Sequence, residues 1–173
     1  MQRARVPLGF LFGACYLLWA RPRAGLFPFG LVLAALGLLI RVWAAGHLQK
    51  HRRLCSGGPY RWTRNPLYLG SFLLGLGFCI AAANVWLGLA FAILFPAIYL
   101  PVMKREETEL AEAYGDAYRQ YRDRVPLFVP WRRPWPDTAE AFQWNQVLRN
   151  REYNAIVGFL LVTVFLVWRQ GLP

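Results

Sequence analysis

An all-α, polytopic membrane fold of about five transmembrane helices, with a cytosolic amphipathic helix and a loop-built binding site, is what this sequence predicts. Three observations point there. Of 173 residues, 57% are hydrophobic and only 17% are charged, and the charges are largely kept out of several apolar runs near membrane-spanning length. Eight tryptophans and twelve phenylalanines supply apolar cores and interfacial anchors. The formal net charge of +11 is concentrated in the connectors. That pattern reads as positive-inside topology and contact with anionic head groups, so membrane lipids are expected as partners and nucleic acid is not.

Residues from about Val6 to Ala20 form a short first span. Its charged start looks like a signal peptide, but the run ends in Trp19 and Arg21-Pro22-Arg23 without a small-residue cleavage pattern, so a retained span is expected. Pro22 and Gly25 mark a turn. Leu26 to Ala45 is a second span carrying Arg41, a charge that must face protein or reach the interface. A polar connector, Gly46 to Pro66, follows. Leu67 to Ala83 is a third span, and Asn84 sits in a connection short enough only for a tight helical hairpin. Val85 to Met103 is the fourth span, which Pro96 and Pro101 are expected to kink. Ala155 to Trp168 is read as the fifth. The chain is one membrane domain: an N-terminal hairpin over 1–45, a core over 46–130, and an interfacial segment with a last apolar helix over 131–173. The connector after the second span and the segment after the fourth share one side, and their charge makes it cytosolic.

The stretch 104–124 differs in kind. It holds six of the nine acidic residues. At about 100° per residue, Leu110, Tyr114, Tyr118, Tyr121 and Val125 fall on one stripe, and Glu109, Glu112, Asp116, Arg119 and Asp123 on the other face. Glu107 lies near the middle of the apolar stripe and Glu106 at its edge, so both carboxylates face protein or membrane, where an unpaired charge is expensive. A structural salt bridge to Arg61 or Arg64 is one way to settle them. Gly115, costly in a helix interior, is expected to mark a close packing contact.

The three cysteines, Cys15, Cys55 and Cys79, are scattered and odd in number, which suits packing better than a disulfide framework or a zinc site. His47 and His51 share a helical spacing, but no third ligand accompanies them, so no metal is expected. The densest chemistry lies in the connector, where GGPYRWTRNPLYLG packs donors, cations and rings between apolar runs. A turn between helices needs none of these, so the loop is expected to bind a ligand.

That loop, then a helical hairpin, then KREETELAEAYGDAYRQYRDRVPLFVP, resembles the isoprenylcysteine carboxyl methyltransferase and phospholipid methyltransferase superfamily over roughly Gly57 to Pro130. The matching pattern is G-x-Y, R-[HN]-P-x-Y-x-G, a later glutamate pair, and a Gly-x-x-Tyr-x-x-Tyr helix ending in Val-Pro. The resemblance implies an integral membrane enzyme that uses S-adenosylmethionine without a Rossmann domain. It places Tyr60, Arg64, Asn65, Tyr68, Glu106 and Glu107 at cofactor-binding positions, with Gly58 and His47 beside them. Arg64, Arg105 and Glu107 are the expected catalytic residues, Arg105 substituting for an arginine that the family carries about a turn before the glutamates. The cofactor's amino-carboxylate calls for cationic or amide donors, its ammonium for a carboxylate, and its adenine for an aromatic or apolar slot. Methyl transfer itself asks mainly for positioning and a dry pocket.

The resemblance points to a lipidic acceptor that enters from the bilayer. The favoured one is an isoprenylcysteine-like carboxylate, and the alternative is an aminolipid head group. Prenylcysteine enzymes usually have His where this chain has Asn65, which bears on the acceptor more than on the cofactor. A second resemblance, to the C-terminal half of NADPH-dependent membrane sterol reductases, is weakened by the short chain and by Leu67 where those commonly have Asn. A non-enzymatic membrane scaffold is the third alternative.

Overall fold

The computed structural model describes residues 5–49, 54–136, 138 and 140–171, with side chains from residue 9 onward. The helices are α1 (Arg5–Trp19), α2 (Phe27–His47), α3 (Pro66–Ala81), α4 (Val85–Arg124), α5 (Trp144–Arg149) and α6 (Tyr153–Gln170), with a single 3-10 turn at Gly58–Arg61 before α3. Among the described residues, α2, α4 and α6 are long and apolar enough to cross a membrane, while α1 and α3 are shorter apolar helices.

Helix α2 runs antiparallel to α3, and this pair forms the most intimate packing in the molecule. Gly30 lies opposite Gly77, and Gly37 opposite Gly70. The spacing is seven residues, two turns, in both helices. At each position a Cβ would collide with backbone atoms of the facing helix; at Gly30 it would come within 2.8 Å of the Ala81 Cα. Apolar side chains gain nothing by leaving lipid, so close backbone approach over small residues is what holds such helices together. Gly75 serves α4 instead, leaving room for the Phe91 ring.

The hairpin between α3 and α4 closes by local chemistry. Ala83 takes φ 51° to end α3. The Asn84 side chain then accepts hydrogen bonds from the Trp86 and Leu87 N–H groups, capping α4. Asn84 also donates to the Trp19 carbonyl at 3.0 Å, and Arg21 N–H donates to Ala82 O at 2.9 Å. These bonds gather the ends of α1, α3 and α4 at one pole, where Arg169 of α6 also reaches the Ala20 carbonyl. The glycine-rich loop, the C-terminal half of α4 and α5 lie at the opposite pole.

Arg41 is satisfied by protein, as its position within an apolar helix requires. It holds Glu152, at the start of α6, through Nε at 3.0 Å and Nη2 at 2.8 Å, and also donates to Ser71 of α3. Glu152 is only 6% exposed. An ion pair this deep ties three helices together and leaves neither charge to lipid. Asn150 reinforces the same corner by donating to the Ala45 and Leu48 carbonyls.

Two expectations change. The fourth span and the charged stretch after it share the range Val85–Arg124, with helical dihedrals through Pro96 and Pro101 and a kink at Gly115 that divides it into two helical parts. Gly115 has φ 53° and ψ −126°, and nothing lies within 4 Å of where its Cβ would stand. It therefore marks a kink that needs glycine's conformational freedom, not a close contact.

Candidate active site

The loop is built by its own sequence. Gly58 takes φ 52°, which an L side chain resists, and the His47 ring occupies the space a Cβ would need, with Nε2 at 2.6 Å from that position. Pro59 starts the 3-10 turn, and Pro66 stands at the first position of α3, where its missing N–H costs nothing. The loop is then latched to the return strand after α4. Arg64 N–H donates to Pro126 O at 3.0 Å, and Thr63 Oγ1 and Asn65 Nδ2 both donate to Leu127 O, at 3.3 and 3.0 Å. Tyr121 Oη donates to Tyr60 O at 2.7 Å.

This latch presents Arg64 and Tyr68, one turn apart, to the adjacent glutamates of α4. The Arg64 guanidinium forms an ion pair with Glu107 through Nη1, and the same nitrogen donates to Tyr118 Oη at 3.3 Å. Tyr68 Oη donates to Glu106 Oε1 at 2.7 Å. The Arg64 side chain is 12% exposed and that of Glu107 24%. Arg64 Nε is buried with no hydrogen-bond partner, an orphaned donor that a ligand oxygen would satisfy. Burial works against the Arg64 charge, but hydrogen bonds to Glu107 and Tyr118 outweigh it and raise the guanidinium pKa. Burial also raises Tyr118, with Arg64 pulling the other way, and it holds Tyr60 well above the ordinary tyrosine range. These hydroxyls therefore stay protonated donors.

An apolar cavity of about 270 Å³ is lined by Phe72 of α3, by Phe95, Pro96, Leu100 and Met103 of α4, and by Phe128 among others, without Arg64, Tyr68, Glu106 or Glu107 in its lining. Met103 lies one turn before Glu107 on α4, and Phe128 directly follows the latched Leu127. The Tyr68 and Tyr99 rings meet tilted at 5.3 Å between centroids, and Tyr99 meets Phe95 at 4.5 Å, so a run of aromatic contacts leads from the Tyr68 partner of Glu106 to the cavity lining. A polar head and an apolar chain of one molecule can thus be served side by side.

The predicted residues divide into two groups. Arg64, Tyr68, Glu106 and Glu107 converge. Tyr60, Asn65, Gly58 and His47 serve the scaffold: Tyr60 is buried under Tyr121, the Asn65 amide holds Leu127, and His47 bonds the Trp43 carbonyl at 2.9 Å while filling the hollow of Gly58. Arg105 does not join the cluster. It lies on the exposed face of α4, paired with Glu109 at 2.7 Å, because it precedes the inward-facing Glu106 by one residue and points about 100° away. Tyr118, Thr63 and the Leu127 carbonyl were absent from the expected site. The Gly-x-x-Tyr-x-x-Tyr spacing and the Val-Pro ending were the signals for them. Among the described residues no three His, Cys, Asp or Glu side chains gather as metal ligands; His51 lies outside the described residues.

The Phospholipid methyltransferase family matches residues 26–117, a little over half of the chain. The chain is 34% identical to the cobalt-zinc-cadmium resistance protein CzcN of Cupriavidus metallidurans, over 65% of this chain and 51% of that protein. It is 31% identical to the protein-S-isoprenylcysteine O-methyltransferase of Schizosaccharomyces pombe, over 50% of this chain and 36% of that protein. It is 35% identical to methanethiol S-methyltransferase 1 of Bradyrhizobium diazoefficiens, over 43% of this chain and 25% of that protein. The chain thus spans about half, or less, of the length of these relatives. No solved structure matches.

Proposed function

The chain belongs to the phospholipid methyltransferase family of membrane enzymes, and on that premise we propose that it transfers a methyl group from S-adenosylmethionine to a lipidic acceptor drawn from the bilayer. The observation that carries this reading is the convergence of the Arg64–Glu107 and Tyr68–Glu106 pairs, linked through the Tyr68, Tyr99 and Phe95 rings to an apolar cavity. The resemblance favours an isoprenylcysteine-like carboxylate as acceptor, and the isoprenylcysteine methyltransferases among the relatives support it.

The residues fit the cofactor's amino-acid end. Arg64 and Glu107 neutralise one another, and each is the counter-charge that one half of a zwitterionic amino-carboxylate would take up. The orphaned Arg64 Nε offers a further donor. When bound, S-adenosylmethionine supplies an electrophilic methyl on a sulfonium sulfur. The protein's work is to orient, to exclude water and to supply local charge. Phe72, Phe95, Leu100 and Met103 keep the apolar side dry. A carboxylate acceptor is already ionised near pH 7 and needs no base. An amine acceptor would have to lose a proton, for which Glu106 is the positioned carboxylate; an aminolipid head group is the second reading, and the family's description supports it.

In this reading α1, α2, α3, the first half of α4, and α6 cross the bilayer five times. The loop faces the cytosol, since Arg61, Arg64, Lys104 and the basic end of α4 share its pole. The protein is then an integral, multi-pass membrane protein with its active site on the cytosolic side.

A labelled-methyl assay in reconstituted membranes, run in parallel with a farnesylcysteine analogue and with phosphatidylethanolamine, tests the acceptor. Label in the prenylcysteine ester alone is the expected result. Label in the aminolipid alone would replace the carboxylate reading with the amine, and label in neither would reject the lipidic acceptors.

A further inference from the structure

Gly115 sits apart from every group discussed as a ligand contact, yet the polar corner depends on it. Arg64 Nη1 touches both Glu107 and Tyr118, residues eleven apart on α4. Eleven residues of straight α-helix would put them on one face, since three turns return nearly to phase, but about 16 Å apart along the axis. One guanidinium nitrogen serves both because the helix is broken between them. The break has φ 53° and ψ −126° at Gly115, and open space where a Cβ would stand. Packing therefore does not demand the glycine; the backbone conformation does. With φ positive and ψ near −126° it is the region of the first central residue of a type II′ turn, which glycine enters freely and every L residue, asparagine included, resists.

The consequences run on down the chain. Beyond the break, Tyr118 reaches Arg64 and Tyr121 reaches the Tyr60 carbonyl. Val125 then leaves the helix so that Pro126 and Leu127 accept from Arg64, Thr63 and Asn65. Trp135 follows, donating its N–H to Arg61 O at 2.9 Å and accepting from Arg61 Nε at 2.8 Å. Each contact lies C-terminal to Gly115 and lands on the segment 60–65. An unbroken helix would carry all of them away from the loop.

We infer that Gly115 is a positioning residue: its glycine-only backbone turn folds the end of α4 over the loop and sets Arg64 between Glu107 and Tyr118. The inference concerns the chain's own geometry, and only its binding arm rests on the methyltransferase reading.

The test has two arms. In the first, nitroxide labels at Thr108 and Arg122, both on the exposed face, report the distance across the break in the full-length protein in detergent. A straight helix would separate those backbone positions by about 21 Å. The wild type is expected to give a shorter distance, and Gly115→Ala and Gly115→Asn both distributions shifted longer, since either Cβ is strained at this φ and ψ. Identical distributions in all three would overturn the inference. The second arm measures S-adenosylhomocysteine affinity by calorimetry for Gly115→Ala, Tyr118→Phe and the double variant. Each single change is expected to weaken binding by about tenfold, as for one hydrogen bond to a charged group. The double variant should be no weaker than the poorer single one, because both act through one contact. Losses that multiply in the double variant would mean that Gly115 acts elsewhere and would contradict the inference. No binding by the wild type would sink the cofactor reading, and the distance arm would still decide the role of Gly115.

Discussion

The seam between α2 and α3 and the polar corner where the loop meets α4 are built by opposite means. At the seam, side chains are removed: Gly30, Gly37, Gly70 and Gly77 let two backbones touch, with no charge among them. At the corner, side chains are added until nearly every buried donor has a partner, with Arg64 Nε as the exception. The seam leaves no room for a Cβ at these four positions, whereas the corner leaves one buried donor, Arg64 Nε, that a ligand oxygen could satisfy.

The comparison can be broken from the seam first. Gly77→Leu would drive a side chain into the Ala34 and Gly30 backbone, and a loss of about 3 kcal/mol or more is expected. Thermal unfolding in detergent should show a collapse of the transition or of the yield of folded protein. Next comes Glu152→Gln, which strips the charge from a pair with one partner only 6% exposed. About 3 kcal/mol is expected, at the low end for a buried pair because Arg41 keeps some exposure and Ser71. Its melting temperature should fall, while ligand affinity per folded molecule should hold.

A smaller effect sharpens the corner. Burial holds Tyr60 and Tyr121 well above the ordinary tyrosine pKa, so the folded state keeps protons that the unfolded chain releases near pH 10. Stability from these groups is therefore flat below that pH and falls as pH rises above it. Tyr121→Phe should cost about 1–2 kcal/mol at neutral pH, through the lost bond to Tyr60 O, and should flatten the alkaline decline in melting temperature. Arg105→Ala is expected to do least. Its partner Glu109 is as exposed as itself, so stability should move by less than about 0.5 kcal/mol and ligand affinity not at all.

The seam and the corner were also unequally legible in the sequence. The three long apolar helices, the Asn84 hairpin and the need of Arg41 to face protein or reach the interface are legible because hydropathy and burial cost act on single residues or short windows. A salt bridge from the inward glutamates to Arg61 or Arg64 is legible for the same reason, and the structure pairs Glu107 with Arg64. What escaped was direction. Arg105 follows the same basic composition as Arg64, yet one residue of helical phase turns it to solvent. The His47 ring fills the space beside Gly58, a relation between residues eleven apart that no local pattern records. At Gly115 a helix-interior glycine suggests a packing contact, and no local pattern carries the dihedral angles that make it a kink.

The most direct test of the central claim, that the Arg64–Glu107 corner receives S-adenosylmethionine, is the heat of S-adenosylhomocysteine binding to purified wild type and to Glu107→Gln. Saturable binding by the wild type is predicted, with affinity per folded molecule lower by about 2 kcal/mol in the variant, roughly thirtyfold, beside a lower melting temperature of the unliganded fold because Arg64 loses its charged partner. Equal affinity in the two proteins would contradict the account, since a site elsewhere would then be holding the ligand.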